Sequence, residues 1–238
     1  MKKVFLLALL ILFGCGKKNN FTWSEYSLEE ALALNTDKII FLDFYSDTWG
    51  PCKRLEAETL NSKEVIEFAN NNFISIKINV DNPEGSKIFG EYAGTGIPYL
   101  VFINGEGQEI ESAVGFRNVD NFLLLANNVV SNTDTFMSLF EEYKQGNRNS
   151  DLIDKLSYKS ETKNNDSLSI ELYSIILNNK EEYLYMHNTL QRAEFYFAKL
   201  ALKEGDISKM SNFINKGLTI NSGLLEGHDW PSDWDMIR

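Results

Sequence analysis

Apolar and polar positions divide this chain into a first half of short strands and capped helices and a second half of helices alone. Lys38 to Tyr45 is an almost unbroken apolar run, with the length and β-branched, aromatic content of a strand covered on both faces. Phe73 to Asp81 predicts another strand, as do Tyr99 to Ile103 and Gln108 to Val114, which the turn Asn104-Gly105-Glu106-Gly107 joins as a hairpin. Phe21-Thr22-Trp23 predicts a short first strand. Helix starts lie between the strands. Ser27-Leu28-Glu29-Glu30 is a capping box and predicts a helix to about Asn35. One helix is expected from Pro51 to Leu60, with proline in the first turn where its missing N–H does no harm. Ser62, Asn82-Pro83 and Asn118 open three more, which carry Val65, Ile66 and Phe68; Ile88, Phe89 and Tyr92; and Phe122, Leu123, Leu125 and Val129. The predicted order is β-α-β-α-α-β-α-β-β-α.

After Val130 the β-branched runs stop and Ser131 to Thr135 is polar, so a boundary is expected there. Leu152 and Leu156 mark one helix, and Leu168, Leu172, Ile175 and Ile176 a second. Leu190, Ala193, Phe197 and Leu200 mark a third, and Ile207, Met210, Ile214 and Leu218 a fourth, with Gly205-Asp206 as the turn between the last two. Two helical hairpins of similar size are similar to tetratricopeptide-type units. Gly223 to Arg238 follows as a tail with Trp230 and Trp234 one helical turn apart, suited to covering an open face or to binding a partner.

Charge and the N-terminus narrow the setting. The formal net charge is -11, which argues against nucleic acid and against direct binding to anionic lipid headgroups. Lys2 and Lys3 precede the apolar run Val4 to Phe13, which ends at Gly14-Cys15. That run is too short to span a bilayer. The arrangement resembles a bacterial lipoprotein signal, which implies a signal peptide over 1–14, lipid on Cys15 and a short tether over 15–20. The resemblance places the protein in the bacterial envelope, facing the periplasm and held to the inner or outer membrane.

The candidate chemistry lies where the Lys38–Tyr45 run meets its helix, at Trp49-Gly50-Pro51-Cys52. This junction resembles the active site of the thioredoxin family, and of its envelope thiol-disulfide interchange type, in which Trp-Cys-Gly-Pro-Cys is usual and the first cysteine attacks a substrate disulfide. Trp49 stands in that place if the alignment has no gap. The family's buried aspartate lies nine residues before its second cysteine, and Asp43 and Cys52 keep that separation. If a gap is allowed instead, the nucleophile is deleted; either way it is gone. The resemblance implies an α/β thioredoxin fold over 21–130, a central mixed sheet flanked by helices, with a small all-α helical-hairpin domain over 131–238. It makes Cys52 the buried resolving thiol, Asp43 its proton acceptor and Lys77 the lysine beside that aspartate, each offsetting the other's burial. Gly96-Ile97-Pro98 is similar to the family's cis-proline loop, so Trp49, Gly50, Pro51, Ile97 and Pro98 are the candidate substrate-binding residues.

An indole is neither nucleophile nor leaving group, and with Cys15 acylated Cys52 is the one remaining thiol, so dithiol chemistry is excluded. Trp49 either plugs the groove or anchors a partner. His187 and His228, the two histidines, lack the spaced partners of a metal site, and no cofactor is expected. Two functions follow: a non-catalytic module that binds an envelope protein or peptide, and a monothiol oxidoreductase that forms mixed disulfides through Cys52.

Overall fold

The computed structural model describes residues 20–221, so Cys15, His228, Trp230 and Trp234 lie outside the described residues. Four strands form one mixed sheet in the order β2-β1-β3-β4. The central strand, β1 (Ile39–Tyr45), pairs in parallel with β2 (Phe73–Asn79) and antiparallel with β3 (Tyr99–Ile103), which pairs with β4 (Glu109–Val114). Alternation along β1 sends Ile40, Leu42 and Phe44 to one core, with Val101 and Ile76, and Phe41 to the other. Phe41 stacks on Phe102 at 4.9 Å between ring centroids and meets Phe122 edge-on at 5.7 Å. Asp43 shares Phe41's face of the strand, so a carboxylate is directed into a face otherwise lined with rings. The expected first strand reduces to a single bridge between Trp23 and Ser75. Ser24 N–H donates to Ser75 O at 2.7 Å, but Phe21 and Trp23 serve mainly to pack their rings on each other and on Phe41.

The helices start where their caps predict. α1 (Leu28–Ala33) has the complete capping box, and Ser62, Asn82 and Asn118 accept backbone N–H groups at the starts of α3 (Lys63–Asn72), α4 (Pro83–Glu91) and α5 (Val119–Ser131). The helix expected over 51–60 is in fact two pieces. α2 (Gly50–Leu55) passes into a π-helical turn, Glu56–Leu60, whose closing bond runs from Asn61 N–H to Glu56 O at 3.0 Å. The wider turn keeps Leu55, Thr59 and Leu60 buried, and Thr59 Oγ1 donates to Arg117 O at 2.6 Å, tying the helix to the loop after β4.

The C-terminal region is all helical and has its own apolar cluster, with Tyr173 and Tyr196 packed at 4.8 Å. α7 (Ser150–Thr162), α8 (Asp166–Asn178), α9 (His187–Lys203) and α10 (Ile207–Asn221) occupy the four expected stretches, with a 3-10 turn at Lys180–Tyr183. A further helix, α6 (Phe136–Lys144), stands where none was assigned; Thr135 caps it, and Leu139 and Tyr143 face the core. The apolar residues expected to mark the buried face of α10 do not all do so: Ile207 and Leu218 are largely exposed, while Gly217 is buried against Phe195. The helical region meets β4 through side-chain contacts. There Glu111, buried, takes Phe136 N–H at 3.0 Å and pairs with Lys159 of α7, while Lys163, one turn on, pairs with Glu109 and donates to Ser112 Oγ at 2.6 Å.

Candidate functional site

β1 delivers the chain to the site, and a polar brace fixes the turn that follows. Ser46 Oγ donates to Asp81 Oδ2 at 2.7 Å and accepts from Thr48 N–H at 3.2 Å, while Asn79 Nδ2 donates to Asp47 Oδ2 at 2.8 Å. Trp49 then takes the N-cap position of α2 in extended conformation, with no side-chain cap. Its carbonyl accepts Cys52 N–H at 3.2 Å and Lys53 N–H at 3.3 Å, while its indole is 50% exposed. Gly50 is exposed and Pro51 half-buried in the first turn. Cys52, by contrast, is only 6% exposed and is the free cysteine of the described residues.

The sulfur lies against a small polar cavity of about 120 Å³ lined by Asp43, Ser46, Cys52, Glu56 and Lys77 among others; Trp49 is not part of its wall. Burial pushes the Cys52 thiol above its ordinary pKa, and the Asp43 charge adds to this, whereas the Ser46 backbone hydrogen bond and Lys77 oppose it. Asp43 is itself 2% exposed, with Oδ1 lacking a hydrogen-bond partner. Burial raises its carboxyl to about 7; Lys77 lowers it and Glu56 raises it. The two strands put Asp43 directly opposite Lys77, as the resemblance implies. The expected mutual pairing does not form, however, because Lys77 Nζ turns to Glu56 Oε2 at 2.9 Å and lies 4.4 Å from the Tyr45 ring centroid. Glu56 is the residue that sequence reasoning missed. Its signal was its place four residues after Cys52, one helical turn on and just past the end of α2.

The Ile97-Pro98 peptide bond is cis. Tyr99 pairs with Phe44, so Pro98 stands beside the end of β1, at the same end of the sheet as the start of α2. Pro98 is buried and Ile97 half-buried, and Pro98 O accepts Gly115 N–H at 2.8 Å. The structure therefore gathers Trp49, Gly50, Pro51, Ile97 and Pro98 at one end of the sheet and places Asp43, Cys52 and Lys77 beneath them. Among the described residues, no group of three or more His, Cys, Asp or Glu side chains is placed to hold a metal ion.

Sheet order, helix placement and the Gly-Pro-Cys junction define a thioredoxin fold, and residues 26–129 match the thioredoxin-like domain family. The chain carries a thioredoxin-like domain followed by an all-helical region. Over 98 residues, 41% of the chain, it is 32% identical to the thiol:disulfide interchange protein DsbD of Neisseria meningitidis, and the match covers 16% of that protein's length. Over 88 residues it is 35% identical to thioredoxin-T of Drosophila melanogaster, covering 37% of this chain and 52% of that one. The solved C-terminal domain of Neisseria meningitidis DsbD in its oxidised form is 31% identical, with a TM-score of 0.37, over 42% of this chain and 87% of that domain.

Proposed function

We propose that this is a lipid-anchored, thioredoxin-like protein of the bacterial envelope that binds another envelope protein or peptide and does not perform dithiol exchange. The observation that carries this reading is the pairing of an indole at the nucleophile's position with a buried Cys52 whose thiol burial holds in its protonated form. Disulfide reduction needs a thiolate that can reach the target sulfur, then a second thiol to release the mixed disulfide. Trp49 supplies neither. The half-exposed indole, at the same end of the sheet as Ile97 and Pro98, is an apolar anchor of the kind that concentrates binding energy at interfaces. The similarity to proteins named for thiol:disulfide interchange, together with the N-terminal Lys2-to-Cys15 pattern, supports the envelope setting and the anchor at Cys15.

The rival is a monothiol oxidoreductase using Cys52, and the polar cavity beside its sulfur is the observation in its favour. Alkylation of Cys52 by iodoacetamide separates the two. The binding-module reading expects a native rate at least ~100-fold below that of the urea-unfolded chain, since only the exposed thiolate reacts. A native rate equal to the unfolded one sinks this reading and favours the monothiol enzyme.

A further inference from the structure

A cleft of about 440 Å³ lies between α6 and α8 in the helical region, and it shares no lining residue with the cavity beside Cys52. Its floor is apolar, made by the buried Tyr143 ring, the buried Leu168 and the half-buried Phe140. Two opposite charges line it, Arg148 and Glu171, and both are held by Tyr143. The Arg148 guanidinium stacks 3.6 Å from the Tyr143 ring centroid, and its Nη1 donates to Tyr143 O and, at 2.9 Å, to Asn147 O. Those bonds engage Nη1 alone. Nε and Nη2 have no hydrogen-bond partner among the described residues, and together they form the edge of a guanidinium that takes a carboxylate through two parallel bonds. Tyr143 Oη donates to Glu171 Oε1, which leaves Oε2 open. Burial first, then Glu171 itself, pushes the Tyr143 phenol up to about 12 against the opposing Arg148, so the proton stays on the phenol and the charge on the carboxylate. No ion pair joins Arg148 to Glu171, although both touch the same ring. The third charge in the lining, Lys144, is already paired with Glu141 and lies 5.0 Å from the Phe140 ring centroid.

We propose that this cleft binds a small zwitterion with an apolar body, a free apolar amino acid or a dipeptide, its carboxylate on Arg148 and its ammonium on Glu171. Size permits it, since pockets for small molecules run from roughly 300 to 1,000 Å³ and are mostly apolar with a few placed polar groups. Charge selects it. A ligand of one sign, such as a phosphate or a simple amine, would satisfy one wall and face a like charge on the other, whereas a zwitterion meets both. The two charges are also fixed before the ligand arrives, Arg148 by its stack and two backbone acceptors and Glu171 by the phenol, so little ordering remains to be done on binding. The apolar floor then takes the ligand's side chain, and the site sits on the helical region, apart from the thiol and from Trp49.

The test is calorimetric titration of the full chain with L-leucine and with leucyl-leucine, each also in its N-acetyl form, which lacks the ammonium, and its C-terminal amide form, which lacks the carboxylate. At least one of the two zwitterions should bind with a Kd on the order of 1 mM, the tighter of them distinguishing amino acid from dipeptide. Both of its modified forms should bind at least ~10-fold more weakly. Arg148→Gln should abolish the preference over the amide and keep the preference over the acetylated form; Glu171→Gln should do the reverse. Absence of binding by either zwitterion up to ~10 mM overturns the proposal. So does equal binding of the zwitterion and its two modified forms, or wild-type preferences retained in both variants, because the site then lies elsewhere. Should Glu171→Gln fail to fold through loss of its bond to Tyr143, Arg148→Gln still decides: a preference over the amide that survives in it overturns the proposal, and one that disappears supports it.

Discussion

On the proposed reading, the indole at position 49 occupies the place where disulfide exchange of the thioredoxin type requires a sulfur, with Asp43, Cys52 and Lys77 close by. Trp49→Cys puts a thiol at the N-terminus of α2, where the helix partial charge lowers its pKa, with Cys52 one turn on to resolve it. The variant is expected to form an internal disulfide with Cys52 and to gain disulfide reductase activity; a folded variant that does neither defeats the idea of a disabled thioredoxin site. Asp43 gives a separate pH signature. Its carboxyl has a pKa of about 7 in the fold against 3.8 when unperturbed, so between those values the native state holds a proton that the unfolded chain has released. The contribution of Asp43 to stability is then fully present below pH 4 and is lost as pH rises through 7, by on the order of 4 kcal/mol at most. Asp43→Asn should accordingly match the wild type near pH 4 and exceed it at pH 8 in urea denaturation, by a few kcal/mol; an equal difference at both pH values contradicts the assignment. The resemblance to the thioredoxin family, with the nine-residue spacing from Asp43 to Cys52, made Trp49, Cys52, Asp43, Lys77 and Pro98 legible in the sequence. Glu56 was not, because the choice of Lys77 between two carboxylates is made by side-chain direction across a strand and a helix.

Among the elements, those with a local signal were the easiest to read. Ser27, Ser62, Asn82 and Asn118 each carry the N-cap that starts their helix, and the β1 run declares its two-sided burial by composition. The π-helical turn after α2 carries no such signal, and the bond that ties it down, from Thr59 to Arg117 O, joins residues far apart in the sequence. α6 was hidden by the polar stretch Ser131 to Thr135, which reads as the start of a linker but in fact ends in the cap Thr135. The same helix brings Phe136 N–H to Glu111, and with Lys159 it makes a buried charged contact on the β4 edge that no sequence periodicity announces. Removing one partner from such a buried pair is costly. Glu111→Ala should lower the unfolding free energy by about 3 kcal/mol, read from urea denaturation, and an unchanged midpoint would show that this contact contributes nothing to holding the helical region on the sheet.

At the scale of the whole molecule, the described residues form three apolar clusters, one on each face of the sheet and one among the C-terminal helices, and charged side chains of β4 join the sheet to the helices. That junction is made through side chains of β4, and Trp49 and Pro98 lie at the end of the sheet where α2 starts. If Cys15 is acylated as proposed, Cys52 is the single remaining thiol of the sequence, and it is buried. The most direct test of this account is reduction of insulin disulfides by the intact wild-type protein with dithiothreitol as electron donor. The account predicts a rate no greater than dithiothreitol alone, identical for wild type and Cys52→Ser. Turnover above that background, lost in Cys52→Ser, would contradict it and make Cys52 the nucleophile of a monothiol enzyme.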